Sequence, residues 1–271
     1  MNKYIRCPKC AEEGRDRRGN NLVEYSDGWQ ICYAGHGVLS KGEPNSVSFF
    51  HKKTGPSYTT LSQDIVNGIE DLSDSRLLSF LWQYDLRFYD AFGIKQIING
   101  SIVRAYEVSG SATDNQRAVE FPVDLGMIIP VSGIFGDDFI IRRIGDLDAG
   151  KKSYSSRGSR HFEALHQSTD VLCVVEDCFS AMKIHQAGFS AIALLGTNMK
   201  QETFIRILQL MESDPIVLVW LDGDQAGIEG SKVILDRIKG FADQVTTVST
   251  EKDPKWLSER EIQEEVLNCY K

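Results

Sequence analysis

The sequence predicts a multidomain α/β chain: a small cysteine-bearing β unit at the front, an α+β part behind it, and an α/β domain with a central parallel sheet. Three observations carry this. From Asp170 onward, apolar runs of four to seven residues alternate with helical stretches of ten to fifteen, the pattern of parallel strands covered on both faces. Before that, residues 72–145 mix one helical segment with several strand-like runs. The first 40 residues hold three of the six cysteines among short alternating runs around an Asp-Gly turn.

The C-terminal elements follow in strict order. "VLCVVE" reads as strand, "CFSAMKIHQAG" as a helix closed by Gly188, "AIALL" as strand and "MKQETFIRILQLMES" as helix. Then come strand "IVLVWLD", helix "AGIEGSKVILDRIKG", strand "QVTTVST" and helix "KWLSEREIQEEVLNCY". Upstream, "SRLLSFLWQYDLRFYDAFGI" has helical spacing, so its aromatics belong to the core. "AVEFPV", "GMIIPV" and "DFIIRRI" read as strands. Residues 41–70 are rich in turn formers and read as a linker. The expected division is residues 1–45, a linker 46–70, a subdomain 71–168 and a domain 169–271.

Bulk properties narrow the function classes. No apolar stretch approaches the roughly 18 residues needed to cross a bilayer. "MNKYIRCPKC" lacks the apolar core of a signal peptide, so a cytoplasmic setting is expected, with cysteines reduced or on metal. The net charge of −8 argues against wholesale polyanion binding. Local stretches differ: residues 1–20 hold six Lys/Arg against three Asp/Glu, and residues 139–160 hold six against two.

Carboxylates mark the strand ends. "VLCVVED" ends at Glu176–Asp177, "IVLVWLDGD" at Asp222–Gly223–Asp224, and Asp253 follows "QVTTVST". In parallel sheets, functional groups gather at the carboxyl ends of the strands. An Asp at a strand end is commonly just a helix N-cap, but three strand ends with the same habit point further. Like charges this close need a counter-charge, and hard oxygen ligands suit Mg²⁺ or Mn²⁺.

At the front, Cys7 and Cys10 in "CPKC" and Cys32 and His36 in "CYAGH" are separated by 21 residues. Two such clusters suit tetrahedral Zn²⁺, which would stabilise a unit too small for a self-sufficient core. Cys–x₃–His is an unusual spacing, and His51 is the alternative fourth ligand. No Gly-x₄-Gly-Lys-[Ser/Thr] phosphate loop occurs, so no helicase motor is encoded in these residues.

Taken together, "VVED", "LDGDQAG" and "KDP" at these separations resemble the Toprim domain shared by primases, topoisomerases and some nucleases, over about residues 170–255. The resemblance implies that Glu176 is a metal ligand or general acid/base and that Asp222 and Asp224 bind Mg²⁺, with Asp253 at a further acidic position of primase versions, the four forming a catalytic set for two divalent ions, or one plus a transient second. One departure is Ser180, which stands where primases usually carry another acid; Asp177 is the residue that would compensate. Cysteine unit, linker and Toprim domain in this order resemble Toprim-type DNA primases with an N-terminal zinc ribbon, closest to the primase half of phage primase–helicases. Such primases place basic residues just before the carboxylates, which here makes Arg142, Arg143, Lys151, Lys152 and Arg157 candidates for NTP and template binding.

The resemblance implies RNA primer synthesis on single-stranded DNA from NTPs, with Zn²⁺ and Mg²⁺ (or Mn²⁺) as cofactors. Its setting would be a viral protein in an infected bacterial host, working with a separate replicative helicase or polymerase and away from any membrane. A Toprim nuclease, a non-enzymatic recombination mediator and a topoisomerase fragment are the rivals. The cysteine unit and the lysines disfavour the first, the cysteines' position at the start of the chain the second, and the length the third.

Overall fold

A computed structural model describes residues 3–12, 22–24, 30–32, 37–40, 64–107, 116–134, 136, 138–145, 152–156, 158–167, 169–212, 215–241 and 244–269. The chain divides into two compact units, Met1–Thr60 with Asp236–Asp243, and Leu61–Leu235 with Gln244–Lys271.

In the first unit, strands β1 (Lys3–Ile5), β2 (Leu22–Glu24), β3 (Gln30–Cys32) and β4 (Gly37–Ser40) form an antiparallel sheet in that order. A single helical turn, α1 (Pro8–Glu12), follows Cys7 and carries Cys10 inward. Cys7, Cys10, Cys32 and Leu22 make the core of this sheet. That is a small apolar nucleus for an independent unit, as the composition foretold.

The second unit is built on one continuous mixed sheet. Its first strands are β5 (Ile65–Asp71), β6 (Lys95–Glu107), β7 (Gln116–Gly133), β8 (Asp138–Arg143), β9 (Ser153–Ser155) and β10 (Ser159–Ala164). The later ones are β11 (Val171–Val175), β12 (Ser190–Ala193), β13 (Ile216–Trp220) and β14 (Gln244–Thr247). The order is β14-β13-β11-β12-β10-β7-β6-β5, with β8 and β9 branching from β7. Strands β12, β11, β13 and β14 are parallel, and β10 joins antiparallel to both β12 and β7. Strand β10 thus joins the strands on either side of it into one sheet. Strands β11 and β12 are buried at every position, as expected for parallel strands covered on both faces.

The helices are α2 (Ser75–Trp82), α3 (Cys178–Gln186), α4 (Gln201–Leu210), α5 (Gln225–Ile238) and α6 (Glu259–Asn268). The last four match the helical patterns read from sequence to within a few residues. Helix α6 starts on a capping box: Ser258 Oγ accepts from Glu261 N–H and Glu261 reaches back to Ser258 N–H.

Three upstream expectations are corrected. The single helix expected through Ile94 stops at Trp82 and is followed by a 3-10 turn, Tyr89–Phe92. Between them Asp85 adopts a left-handed φ of 51°, and its carbonyl accepts from Lys183 Nζ at 3.2 Å and Gln186 Nε2 at 2.9 Å. Those partners lie about a hundred residues downstream, so local propensity could not have shown the break. "AVEFPV" and "GMIIPV" are two parts of β7, which continues through Pro122 and Gly126. Finally, the stretch read as linker contains β5. Its Asn67–Gly68 pair, a turn signal in sequence, is used as a bulge: Gly68 has φ +79°, and the register against β6 shifts between Asn67 and Ile69.

The carboxyl end of β13 is anchored by Trp220, which is fully buried and donates from Nε1 to Thr250 Oγ1 at 2.9 Å. We expect Trp220→Ala to lower unfolding free energy by about 3–5 kcal/mol in a denaturant titration. A loss below about 1 kcal/mol would show that this strand end does not depend on the indole.

Candidate active site

The parallel strands reverse their order of addition at β11: β12 lies on one side of it, and β13 and β14 lie on the other. Loops leaving β11 and β13 diverge there, which opens a crevice at their carboxyl ends, the ligand position in open parallel sheets. Glu176 and Asp177 follow β11 directly, and Asp222 and Asp224 follow β13.

Each acid has a different local role. Asp177 caps α3, accepting from Phe179 N–H at 2.8 Å and Ser180 N–H at 3.1 Å. Ser180 is fully buried and its hydroxyl donates to Asp177 Oδ2 at 3.0 Å. The serine at the expected acid position thus orients Asp177 and adds no charge. Asp224 caps α5, with Oδ1 accepting from Gly227 N–H at 2.8 Å. The N-cap reading of a strand-end Asp therefore holds for these two.

Asp222 differs, because its Oδ1 is buried and has no hydrogen-bond partner. Gly227 explains how α5 comes so near: a Cβ there would sit 1.9 Å from the Asp222 carbonyl oxygen. The glycine of "LDGDQAG" is required for this close approach. Behind Glu176, Gly196 N–H donates to its carbonyl at 3.2 Å, next to Leu195 with a left-handed φ of 62°.

Electrostatics bind the group together. Burial, then the charges of Asp222, Asp224 and Asp177, push the Glu176 carboxyl up to about 7. Burial also raises Asp222, to about 6, with Lys255 opposing and Asp253, Asp177 and Asp224 adding to the rise. Lys255, absent from the sequence reading, sits among these acids. Its Nζ is 2.8 Å from Asp253 and 2.9 Å from Asp177, and 3.9 Å from Asp222. Burial opposes its charge, but Asp177 and Asp253 outweigh that and hold the ammonium above the usual lysine range. The signal in the sequence was "KDPKW": a cation two residues after a strand-end acid.

A wall of aromatics borders Lys255. Tyr84 packs edge-on against Trp256 at 4.4 Å and stacks on Phe179 at 5.8 Å. Burial pushes the Tyr84 hydroxyl up, while the charges of Lys255 and Arg142 both pull against it. Arg142 lies over the Phe80 ring at 5.7 Å, and its Nε is buried without a hydrogen-bond partner. Of the basic candidates among the described residues, Arg142 alone is placed by these contacts beside the wall that carries Lys255. Arg143, the next residue on β8, lines a separate cleft of about 280 Å³ with Arg76, Asn99 and Asp124. That volume falls at the lower limit for a small-molecule pocket. Alternation of side chains along a strand separates the two arginines, a consequence the sequence reading did not draw. Lys152 is exposed beside β8, and its carbonyl accepts from Arg143 N–H. Lys151 and Arg157 lie outside the described residues.

In the first unit, the Sγ atoms of Cys7, Cys10 and Cys32 lie within 4.8 Å of one another, and all three residues are fully buried. Cys10 and Cys32 sulfurs are 3.5 Å apart, well beyond a disulfide bond of about 2.05 Å. Cys10 N–H also points at Cys7 Sγ, 3.5 Å away. Three soft ligands converging in this way suit a tetrahedral metal. Among the described residues this is the one group of three or more such ligand atoms drawn so close, so the carboxylates are more widely spaced. His36 and His51, the alternatives for a fourth ligand, lie outside the described residues. Among the described residues, no helix is long and apolar enough to cross a membrane.

Comparison with known proteins agrees with the geometry. Residues 170–249 match the family model of the Toprim domain. This part of the chain is similar to a Toprim domain. It spans β11 to the end of β14, so Glu176, Asp222 and Asp224 all fall inside the Toprim match, and Asp253 and Lys255 lie just beyond it. Among solved structures, the chain is similar to the zinc-binding and RNA polymerase domains of the Aquifex aeolicus primase, with 17% identity and a TM-score of 0.49. That match covers 72% of this chain and 56% of the Aquifex chain. It is also similar to the primase fragment of the bacteriophage T7 primase-helicase protein, at 13% identity and a TM-score of 0.45, covering 98% of each chain. No curated protein sequence matches it.

The raised carboxyls give a pH dependence. Native Glu176 and Asp222 hold protons more tightly than the same groups in the unfolded chain, so their contribution to stability is complete below the unfolded pKa values and is lost as pH rises through about 6 and 7. His185, lowered by burial, acts in the opposite sense over part of this range. Comparison with Glu176→Gln isolates the effect. Without divalent cations, wild-type stability relative to this variant should fall between about pH 5 and pH 8. A thermal-melt difference that is flat or rises with pH would overturn the assignment.

Proposed function

We propose that this chain is a template-directed RNA primase, with the Toprim crevice as its nucleotidyl-transfer site. The observation that carries the reading is the buried, unpartnered Oδ1 of Asp222, beside a Glu176 that burial and its neighbours push up to about 7. An anionic oxygen held dry with no donor is a group arranged for a cation. Hard oxygen donors on Glu176, Asp222 and Asp224 fit Mg²⁺ or Mn²⁺, and these three residues would hold it. When bound, such a cation supplies charge neutralisation and Lewis acidity to phosphoryl transfer.

The chain's own groups divide the remaining work. Glu176, when it is not a ligand of the cation, would be the carboxylate that accepts the proton leaving an attacking ribose 3′-hydroxyl. Arg142 would bind NTP phosphate oxygens, for which a guanidinium offers a bidentate grip. Lys152, with Lys151 and Arg157 on the same basic stretch, would follow the template backbone, and Arg143 would act from its separate cleft. Asp253, held by Lys255, would bound the crevice on its far side.

The three-thiol cluster at the front supports primase over nuclease. Cys7, Cys10 and Cys32, with His36 or His51, would hold Zn²⁺ and form the unit that reads a start site on single-stranded DNA. The domain plan in this reading is a zinc unit over 1–45, a polymerase subdomain over 71–168 and the Toprim domain with its following helix over 169–271; of the expected linker over 46–70, the last part is strand β5 and joins the subdomain's sheet. NTPs, the template and the nascent RNA primer are the ligands, and a replicative helicase or polymerase is the partner.

Incubation with single-stranded DNA of mixed sequence, labelled NTPs and Mg²⁺ or Mn²⁺ should yield short oligoribonucleotides. Asp222→Asn should reduce them by at least about 100-fold, the scale of losing an electrostatic catalytic group. DNA cleavage in place of RNA synthesis would establish the nuclease instead. Elemental analysis should find about one zinc per chain, lost in Cys10→Ser. Zinc-free protein with an intact N-terminal sheet would remove the front-unit assignment.

A further inference from the structure

Asp222 divides its two oxygens between different surroundings. Oδ2 faces Lys255 Nζ at 3.9 Å, and Oδ1 is buried without a partner. The Lys255 ammonium lies between Asp177 and Asp253, at 2.9 and 2.8 Å, with its side chain 16% exposed. Glu176 and Asp224 make no ion pair with Lys255, and one oxygen of Asp222 is unpartnered.

Lys255 is well fixed. The loop that carries it is pinned by Thr250, whose Oγ1 accepts from Trp220 and donates to the Lys252 carbonyl at 2.7 Å. Its three acidic neighbours come from the loops after β11, β13 and β14, so the ammonium ties together three loops that converge on one crevice. A hexahydrated or octahedral Mg²⁺ needs about six oxygens at about 2.0–2.1 Å. An ammonium in contact with Asp177 and Asp253 takes both the space and the lone pairs such an ion would use. Ser180 offers a hydroxyl already committed to Asp177.

We propose that Lys255 is a built-in monovalent counter-ion of this crevice, taking the lone pairs of Asp177 and Asp253 and leaving the site to take one divalent ion at Glu176, Asp222 and Asp224. The inference rests on the reading of those three as metal ligands. Lys255 is a positioning residue here: it holds Asp222 so that a single oxygen is presented to the ion.

Counting bound Mn²⁺ tests this without any reaction. Zinc-loaded full-length protein, titrated with Mn²⁺ and followed by electron paramagnetic resonance and calorimetry without nucleotide, should bind one ion per chain. Asp222→Asn should abolish that site. Lys255→Gln, which leaves three acids facing one another, should bind two, and Lys255→Arg should return the count to one. Two ions on the wild type, an unchanged count in Asp222→Asn, or one ion on a folded Lys255→Gln would each overturn the proposal. If Lys255→Gln does not fold, the wild type and Lys255→Arg decide it, since two ions on either overturns it. One ion bound by a chain that makes no RNA would sink the primase reading alone; RNA synthesis with two ions bound would sink only the lysine.

Discussion

Three carboxylates from three loops meet one ammonium at the carboxyl edge of the parallel sheet, with Glu176 alongside, and the arrangement of that edge follows from making the meeting stable. Uncompensated, Glu176, Asp177, Asp222 and Asp253 would repel one another in a partly dry crevice, where such repulsion is stronger than in water. Lys255 relieves part of it through Asp177 and Asp253. The rest is carried as raised pKa values on Glu176 and Asp222, the two groups left to a cation or a proton. Strand order, cap residues and close-packed glycines all serve to hold these charges at fixed positions.

Support for the crevice comes from beneath. Strands β11 and β13 pair in parallel from Val171↔Ile216 to Val175↔Trp220, so their ends are level and their acids leave at the same height. Trp220 closes the buried run and reaches across to Thr250, which sets the path of the loop bearing Asp253 and Lys255. Gly227 lets the first turn of α5 press onto the Asp222 backbone. Each device is short-range, yet together they place groups from about eighty residues of chain at one edge.

On the other flank, the long strand β7 joins two architectures. It pairs with β6 and β8 in an antiparallel sheet and with β10, which hands on to the parallel strands of the Toprim domain. This continuity fixes β8 relative to the crevice and brings Arg142 over Phe80, beside the aromatic wall of Tyr84 and Trp256. A flexible linkage at this point would leave the basic strand free of the carboxylates. The sheet makes them one body.

The alternation of apolar runs with helical periods was enough, without coordinates, to determine the βα units from Asp170 to the last helix, because solvent exclusion acts on each element with its own period. The acids at three strand ends were legible because chain order and a parallel sheet together dictate which edge they share, and the Cys7–Cys10–Cys32 set because its spacing is that of soft metal ligands. Tertiary structure alone decided what surrounds them. Lys255 meets Asp177 across 78 residues of chain, and Lys183 captures the Asp85 carbonyl across 98, ending a helix that local spacing would continue. The split of Arg142 from Arg143, and the use of Asn67–Gly68 as a bulge instead of a turn, depend on which strand lies alongside. Such contacts have no period and no fixed separation; they exist only once distant segments pack, and at this crevice packing decides which acids meet a lysine and which do not.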